Sequence, residues 1–399
     1  MLGSSTLLTR LRPIALAAAI VAALLVAPTT ADAAKRKVPF GFFGAVSPPL
    51  LGGVSAADLD RQMGLMAQSG VESLRITRAW NELEPREGDF RLSGLDRIVG
   101  AAASHGLQVV LNVTSTPRWA SSKPSSRDAY RLPPKNNGTY GELMRQLVLR
   151  YGPTGTYWLQ NPTVPRVPVR QWQIWNEPSG EAHWKPRPWA PSYTRLLRAA
   201  YTAIHSVDRG AKVVSGPLVA TGTYTQWKAM TDLLRAGARR YLDVVSVHPF
   251  TNDSTSAVKS AQRVVEIVRL VRERMNKGGA RSVPIILTEM TWPASLGKAP
   301  KGAQLHFSTT SRGQVARLKA AYRALIRARR KLRVTNAYWY TWATTYDRSG
   351  PLSVMAFNFS GLTRYRRGVF SPMPILRVYR NVAASYQGCR KSADARRCR

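Results

Sequence analysis

The sequence predicts a (β/α)8, or TIM, barrel in a single domain with no appended β-sandwich. Three observations carry that expectation. Short apolar runs alternate with amphipathic helical stretches eight times between residues 38 and 386. Strands joined through helices pair in parallel with right-handed crossovers, and eight such units close into a barrel that leaves no bare edge. A barrel of this kind takes about 250 residues, so a chain of 399 residues, 44% of them hydrophobic, holds one with long loops. An open doubly wound sheet uses the same units but usually fewer of them.

In chain order, the first strand is read at 38–46. Ser55-Ala56-Ala57-Asp58 forms a capping-box pattern for a helix that runs to Ser69 and stops at Gly70. The second strand is 73–77, followed by a loop, 80–90, and a helix from Leu92 to His105. The third strand is 108–113. A long loop, 114–138, leads to a helix that Thr139-Tyr140-Gly141-Glu142 is expected to cap. The fourth strand is 169–174, with its helix at 192–207. The fifth is 212–218, with a helix at 226–236. The sixth is 244–248, with a helix at 257–275 ended by Gly278-Gly279. The seventh is 283–289, with a helix to Arg329 capped at Ser311. The eighth is 336–342, and a loop of about thirty residues precedes a last helix at 373–386.

The ends of the chain have their own signals. Arg10 and Arg12, an apolar run at 14–27 and Ala31-Asp32-Ala33 read as an export signal over 1–33. The run is short for a bilayer span, although an uncleaved anchor is the alternative. The expected layout is therefore signal 1–33, barrel 34–386 and a basic tail 387–399. The two cysteines, Cys389 and Cys398, are read as a disulfide, since an exported pair is more often bridged than free. It would close a short loop and pin only the tail.

The formal net charge is +37. Such a surface favours anionic partners, but Arg-rich composition alone produces one too. The Lys and Arg residues are scattered along helix faces and form no nucleic-acid reader motif, so specific nucleic-acid binding is not expected. There is no Gly-x-Gly-x-x-Gly and no Gly-Lys-Ser/Thr loop, which removes support for nucleotide binding. No His-Glu-x-x-His and no Asp-rich loop occurs, so neither a metal nor a cofactor is expected.

In a barrel, side chains at the carboxyl ends of the strands converge on one mouth. Those ends carry Arg75, Asn112, Asn176, Glu177, His248, Glu289, and Trp339 or Trp342. Glu177 follows the apolar run 169–174 and Glu289 ends the run 283–289. Two carboxylates at one mouth suit glycoside cleavage, which needs a proton on the leaving oxygen and charge stabilisation at the anomeric carbon. Trp119, Trp339 and Trp342 are candidate sugar platforms, though a Trp is largely buried on average. Trp80, Trp172 and Trp175 are read as partly structural. His183 and Trp184 are lesser candidates for sugar contact, and His248 has the alternative of a satisfied core histidine.

Trp175-Asn176-Glu177-Pro178, together with Leu287-Thr288-Glu289, resembles the clan A retaining glycoside hydrolases, in family 39-like and family 5-like form. Arg75-Ile76-Thr77-Arg78-Ala79-Trp80, Thr116-Pro117-Arg118-Trp119-Ala120 and Val245-Ser246-Val247-His248-Pro249 resemble further parts of that pattern. The resemblance implies Glu177 as acid/base, Glu289 as nucleophile and Asn176 as a hydrogen-bond donor to a sugar hydroxyl beside the reacting carbon. It implies two carboxyl groups about 5 Å apart, against roughly 6.5–9.5 Å for inversion. Arg75 is expected to keep Glu289 ionised, and the charge on Glu289 to hold a proton on Glu177. One departure stands out: clan members often have a Tyr after strand six that touches the nucleophile, where this chain has Phe250. Tyr224 is a candidate replacement, and the alternative is that the contact is absent.

The expected function is an exported, monomeric retaining glycoside hydrolase acting on a glycan, neutral or anionic, in the extracellular space or at the cell wall. The resemblance points to β-linkages. The alternative is an inactive barrel that binds a cell-wall or anionic glycan.

Overall fold

The computed structural model describes residues 35–251 and 256–389. The export signal and Cys398 of the expected disulfide lie outside the described residues. Eight strands form: β1 Phe43–Val46, β2 Ser73–Ala79, β3 Gln108–Thr114, β4 Gln171–Ile174, β5 Lys212–Val214, β6 Val245–Val247, β7 Ile285–Met290 and β8 Val334–Trp339. All the ladders between them are parallel, in the order β5-β4-β3-β2-β1-β8-β7-β6. Closure between β5 and β6 comes from two parallel bridges, Val214 with Val244 and Leu218 with Val247. The Leu218 amide donates to Ser246 O at 2.9 Å, and the His248 amide donates to Leu218 O at 3.0 Å. The ring is thereby complete, as the (β/α)8 expectation requires.

The seam is thin for a local reason. The expected fifth strand, 212–218, is cut at Val214 by Gly216-Pro217, because a Pro has no amide for the ladder. Gly216 is required where it stands: a Cβ there would lie 2.7 Å from Pro178 and 2.9 Å from Ile174 O. The Gly216 amide instead donates to the Tyr193 hydroxyl at 2.6 Å, and Tyr193 donates to Ile174 O at 2.8 Å. One buried tyrosine thus ties the ends of β4 and β5 together.

Among the described residues, eight helices of ten residues or more cover the barrel: α1 Ala56–Gln68, α2 Ser93–Ser104, α3 Asn137–Tyr151, α4 Trp189–Val207, α5 Gln226–Arg235, α6 Ala257–Lys277, α7 Ser311–Leu332 and α8 Pro374–Gln387. Ser55 caps α1 as the sequence predicts, its side chain accepting from the Asp58 amide. Two expected caps are displaced. The side chain of Asn136, not Thr139, caps α3, accepting from the Gly138 amide at 2.8 Å, and Thr310, not Ser311, caps α7. The expected long loop after β8 holds a small sheet of β9 Ala343–Thr344, β10 Thr363–Arg366 and β11 Val369–Pro372. These strands are too short, and the first two too polar, to signal in the sequence. Among the described residues no helix is long and apolar enough to cross a membrane.

The core between barrel and helices is apolar and rich in indoles. Trp80, Trp172, Trp175, Trp184, Trp292, Trp339 and Trp342 are all fully buried. The upper interior of the barrel is polar instead, with buried Arg75, Asn112, Gln173 and His248. That change from apolar to polar marks the mouth.

Candidate active site

Arg75, on β2, is the hub. Its side chain is 1% exposed, so its charge must be met inside the protein. Nη1 donates to Glu289 Oε1 at 2.6 Å, and Nε to Gln173 Oε1 at 2.7 Å. Nη2 donates to Asn176 Oδ1 at 3.0 Å and to Asn112 Oδ1 at 3.3 Å. One rigid guanidinium fork therefore fixes side chains from β3, from β4 and the turn after it, and from β7. Asn112 in turn donates to Trp175 O at 2.7 Å. Gln173 was not singled out from the sequence. Its signal was an amide at an alternate position of an otherwise apolar strand, in Gln171-Trp172-Gln173-Ile174.

Glu177 lies just beyond β4, where Trp175 has φ +69° and Glu177 itself φ +43°. Left-handed backbone at two non-glycine residues costs about 1–3 kcal/mol each and collects at functional sites. The carboxylate is held on both oxygens. His248 Nδ1 lies 2.6 Å from Oε1 and His183 Nε2 lies 3.1 Å from Oε2. His248 is 0% exposed, and its Nε2 is 3.0 Å from Thr288 Oγ1 and 3.7 Å from Glu289 Oε1. Ligand atoms of Glu177, His248 and Glu289 all lie within 4.8 Å of one another. That proximity also suits a metal, but Arg75 already gives Glu289 a cation at 2.6 Å.

The electrostatics correct one expectation. Burial by itself would raise the pKa of Glu177, but hydrogen bonds from His183 and His248 and their charge override it and hold the carboxyl well below its usual range. The charge of Glu289 therefore does not keep a proton on Glu177. For His183, burial pulls the imidazole down, and the bond to Glu177 with the charges of Glu177 and Glu289 lifts it above its usual value.

A cleft of about 1260 Å³ opens over this cluster, and Arg75, Asn176, Glu177 and Glu289 all line it. Asn112 and His248 sit beneath, touching those groups and not the cleft. The three tryptophan platforms do not reach it. Trp339 and Trp342 are 0% exposed, donating to Ser360 O and Gln62 Oε1 at 2.9 Å each. Trp119 packs edge-on against Trp80 and donates to Glu84 O at 3.1 Å. Trp184 is buried against Trp175, while His183 does line the cleft.

The cleft aromatic at the end of β8 is Tyr340, one residue past the strand. Alternation explains the difference. Tyr338 faces the barrel interior, where its hydroxyl meets Ser73, so Tyr340, two residues on, shares that face and Trp339 points the other way, toward Trp292 and Ser360. Burial and then the charge of Glu289 push the Tyr340 phenol up. Tyr224 is engaged elsewhere, donating to Asp232 Oδ2 at 2.6 Å and accepting from Trp189 at 2.8 Å. Phe250 lies against His248, with ring centroids 5.7 Å apart.

Comparison with known proteins agrees with this fold. The model of the glycoside hydrolase family 42 beta-galactosidases matches residues 54–129, a stretch that includes Arg75 and Asn112 but neither glutamate. No curated protein matches the sequence. A family 39 glycoside hydrolase from Bacteroides cellulosilyticus WH2 superposes with a TM-score of 0.60 at 18% identity, over 87% of this chain and 64% of that one. This chain thus spans a little under two thirds of that protein. A glucosidase from Croceicoccus marinus gives 0.61 at 15% identity, over 89% of this chain and 70% of that one. A monomeric beta-xylosidase from Caulobacter crescentus CB15 gives 0.59 at 17%, over 88% and 69%. The chain has the (β/α)8 barrel of these glycoside hydrolases.

Proposed function

We propose that this protein is an exported retaining glycoside hydrolase that cleaves β-linked O-glycosides. The observation that carries the reading is the pair of glutamates at one mouth, with carboxylate oxygens within 4.8 Å across an open cleft. A retaining mechanism needs carboxyl groups about 5–5.5 Å apart, with no room for water between the second carboxylate and the sugar. Glu289 attacks the anomeric carbon and forms the glycosyl-enzyme bond, while Glu177 delivers a proton to the departing oxygen. Water then attacks that carbon, Glu177 takes its proton, and Glu289 leaves. Arg75 holds Glu289 in place through its 2.6 Å hydrogen bond. Its bond to Asn176 Oδ1 leaves the Asn176 amide N–H groups free to meet a sugar hydroxyl.

The cleft favours a neutral glycan. Its ionisable lining is Arg75, Arg78, His183 and His306 against Glu82, Glu177 and Glu289. The basic excess lies outside, as on α7, whose sequence contains no Asp or Glu. Export rests on residues 1–33 alone. A barrel that binds glycan without cleaving it is the competing reading, favoured by one observation: both oxygens of Glu177 are already occupied by imidazoles.

The test is a panel of neutral and acidic oligosaccharides offered to the wild type and to Glu177→Gln. Cleavage with retained anomeric configuration, lost in the variant, is the expected result. Binding without cleavage of any member would hand the case to the competing reading.

A further inference from the structure

The loop after β4 brings a second imidazole to Glu177, and nothing so far gives it work. His183 lines the cleft and its side chain is 39% exposed. Its place is built: Trp175 Nε1 donates to His183 O at 2.8 Å, and the His183 amide donates to Gly180 O at 3.1 Å. Next door, Trp184 is buried edge-on against Trp175, with centroids 4.9 Å apart, and its Nε1 donates to Ser192 Oγ at 2.9 Å. So the backbone is pinned on both sides while the imidazole reaches Glu177 Oε2 at 3.1 Å.

We propose that His183 is the proton-holding partner of Glu177, storing at Nε2 the proton that Glu177 passes to the leaving group and taking it back afterwards. The inference rests on the glycosidase reading above. Glu177 must be an acid in the first half of the reaction, yet both its oxygens face imidazole nitrogens, Oε1 at 2.6 Å from His248 and Oε2 at 3.1 Å from His183. The proton it needs therefore has to sit beside it. His248 is poorly placed to supply it, being wholly buried and also engaged with Thr288. His183 faces the cleft and stands at the longer contact. The other groups acting on its ring are Glu289, whose charge favours the imidazolium, and Arg131, which opposes it. Burial disfavours the charge, but the hydrogen bond to Glu177 and the charges of the two glutamates outweigh it and raise the His183 pKa.

The step balances. His183 Nε2–H gives its proton to Glu177 Oε2, and the ion pair becomes two neutral groups joined by an ordinary, weaker hydrogen bond. The glycosidic oxygen displaces that bond and takes the proton as its bond to the anomeric carbon breaks and Glu289 attacks. In the second half, water adds to the anomeric carbon as the bond to Glu289 breaks. The proton of that water goes to Glu177 and returns to His183 Nε2.

The experiment is the pH dependence of kcat/KM for wild type and His183→Gln, with a nitrophenyl glycoside and an alkyl glycoside of the best sugar found. The alkaline limb of the variant is expected to move toward acid by about one unit or more. The loss at neutral pH is expected to approach about 100-fold with the alkyl leaving group, the lower range for a general acid, and to be small with nitrophenol, which departs with little help. An unmoved limb, or equal losses with both substrates, overturns the proposal and leaves His183 a packing residue. A second measurement covers a variant that misfolds. Titration of the His183 ring by NMR should show a higher pKa in the wild type than in Glu177→Gln, and equal values would also overturn the pairing. If the wild type cleaves nothing, the glycosidase reading fails, while the NMR titration still decides whether the pair exists.

Discussion

The two glutamates at the mouth are held in opposite ways. Glu289 belongs to β7 itself, within Ile285–Met290, and its partner is the fixed cation of Arg75 at 2.6 Å. Glu177 lies beyond β4 on left-handed backbone, and its partners are two histidines, one of them on a loop. A guanidinium stays charged at any working pH, whereas an imidazole gains or loses its proton near neutrality. The contrast matches the two tasks. A nucleophile must remain anionic throughout, and an acid/base must change state twice in each turnover.

The largest expected effect comes from the fixed end. Glu289→Ala removes the group proposed to form the covalent intermediate, and kcat should fall by about 10^6-fold, the order seen when a covalent nucleophile is lost. Glu177→Gln should cost less, about 10²–10⁴-fold, and least with activated leaving groups. Steady-state rates on one nitrophenyl glycoside compare them directly. Equal losses there would erase the distinction between the two ends.

Next comes the hub. Arg75→Met would leave Glu289 partly buried without its guanidinium partner. Breaking a buried pair from one side costs about 3–5 kcal/mol, so the urea midpoint should drop sharply. The double variant Arg75→Met with Glu289→Gln should regain part of that loss, because no charge is then stranded. Two losses that simply add would mean that Arg75 contributes packing and not charge.

The tryptophans sharpen the comparison from outside the mouth. Trp342→Ala should destabilise by about 3–5 kcal/mol, as for other large-to-small changes in a core. Activity of the remaining folded protein on a neutral oligosaccharide should stay near wild type. A selective rise in KM would restore Trp342 as a sugar platform.

The same contrast shows what the sequence could convey. The barrel was legible because eight apolar strands and eight amphipathic helices impose one topology. Both glutamates, Arg75 and Asn176 were legible because strand ends converge. The errors arose where a side chain's direction mattered. Trp339 and Tyr340 are neighbours in the chain, and only the inward placement of Tyr338 shows which one meets the cleft. His183 could be placed after Glu177 but not against it, since a loop path is set by contacts such as Trp184 in the core, which no periodicity records.

The smallest expected effect is on stability against pH, and it isolates the changeable end. Glu177 has a folded pKa below its unfolded value of about 4.3. Its share of stability is therefore present above about pH 4.3 and is lost as pH falls through the lower folded value. His183 has a folded pKa above its unfolded value of about 6.5. Its share is fully present below about pH 6.5 and is lost as pH rises through the higher folded value. The His183–Glu177 contact should therefore contribute most between about pH 4.3 and 6.5. Unfolding midpoints of wild type and His183→Gln, measured across pH 4 to 9, should differ most inside that window and converge above it. A constant difference between wild type and His183→Gln up to pH 9 would mean that the imidazole acts as a neutral spacer, and the two ends of the mouth would no longer differ in kind.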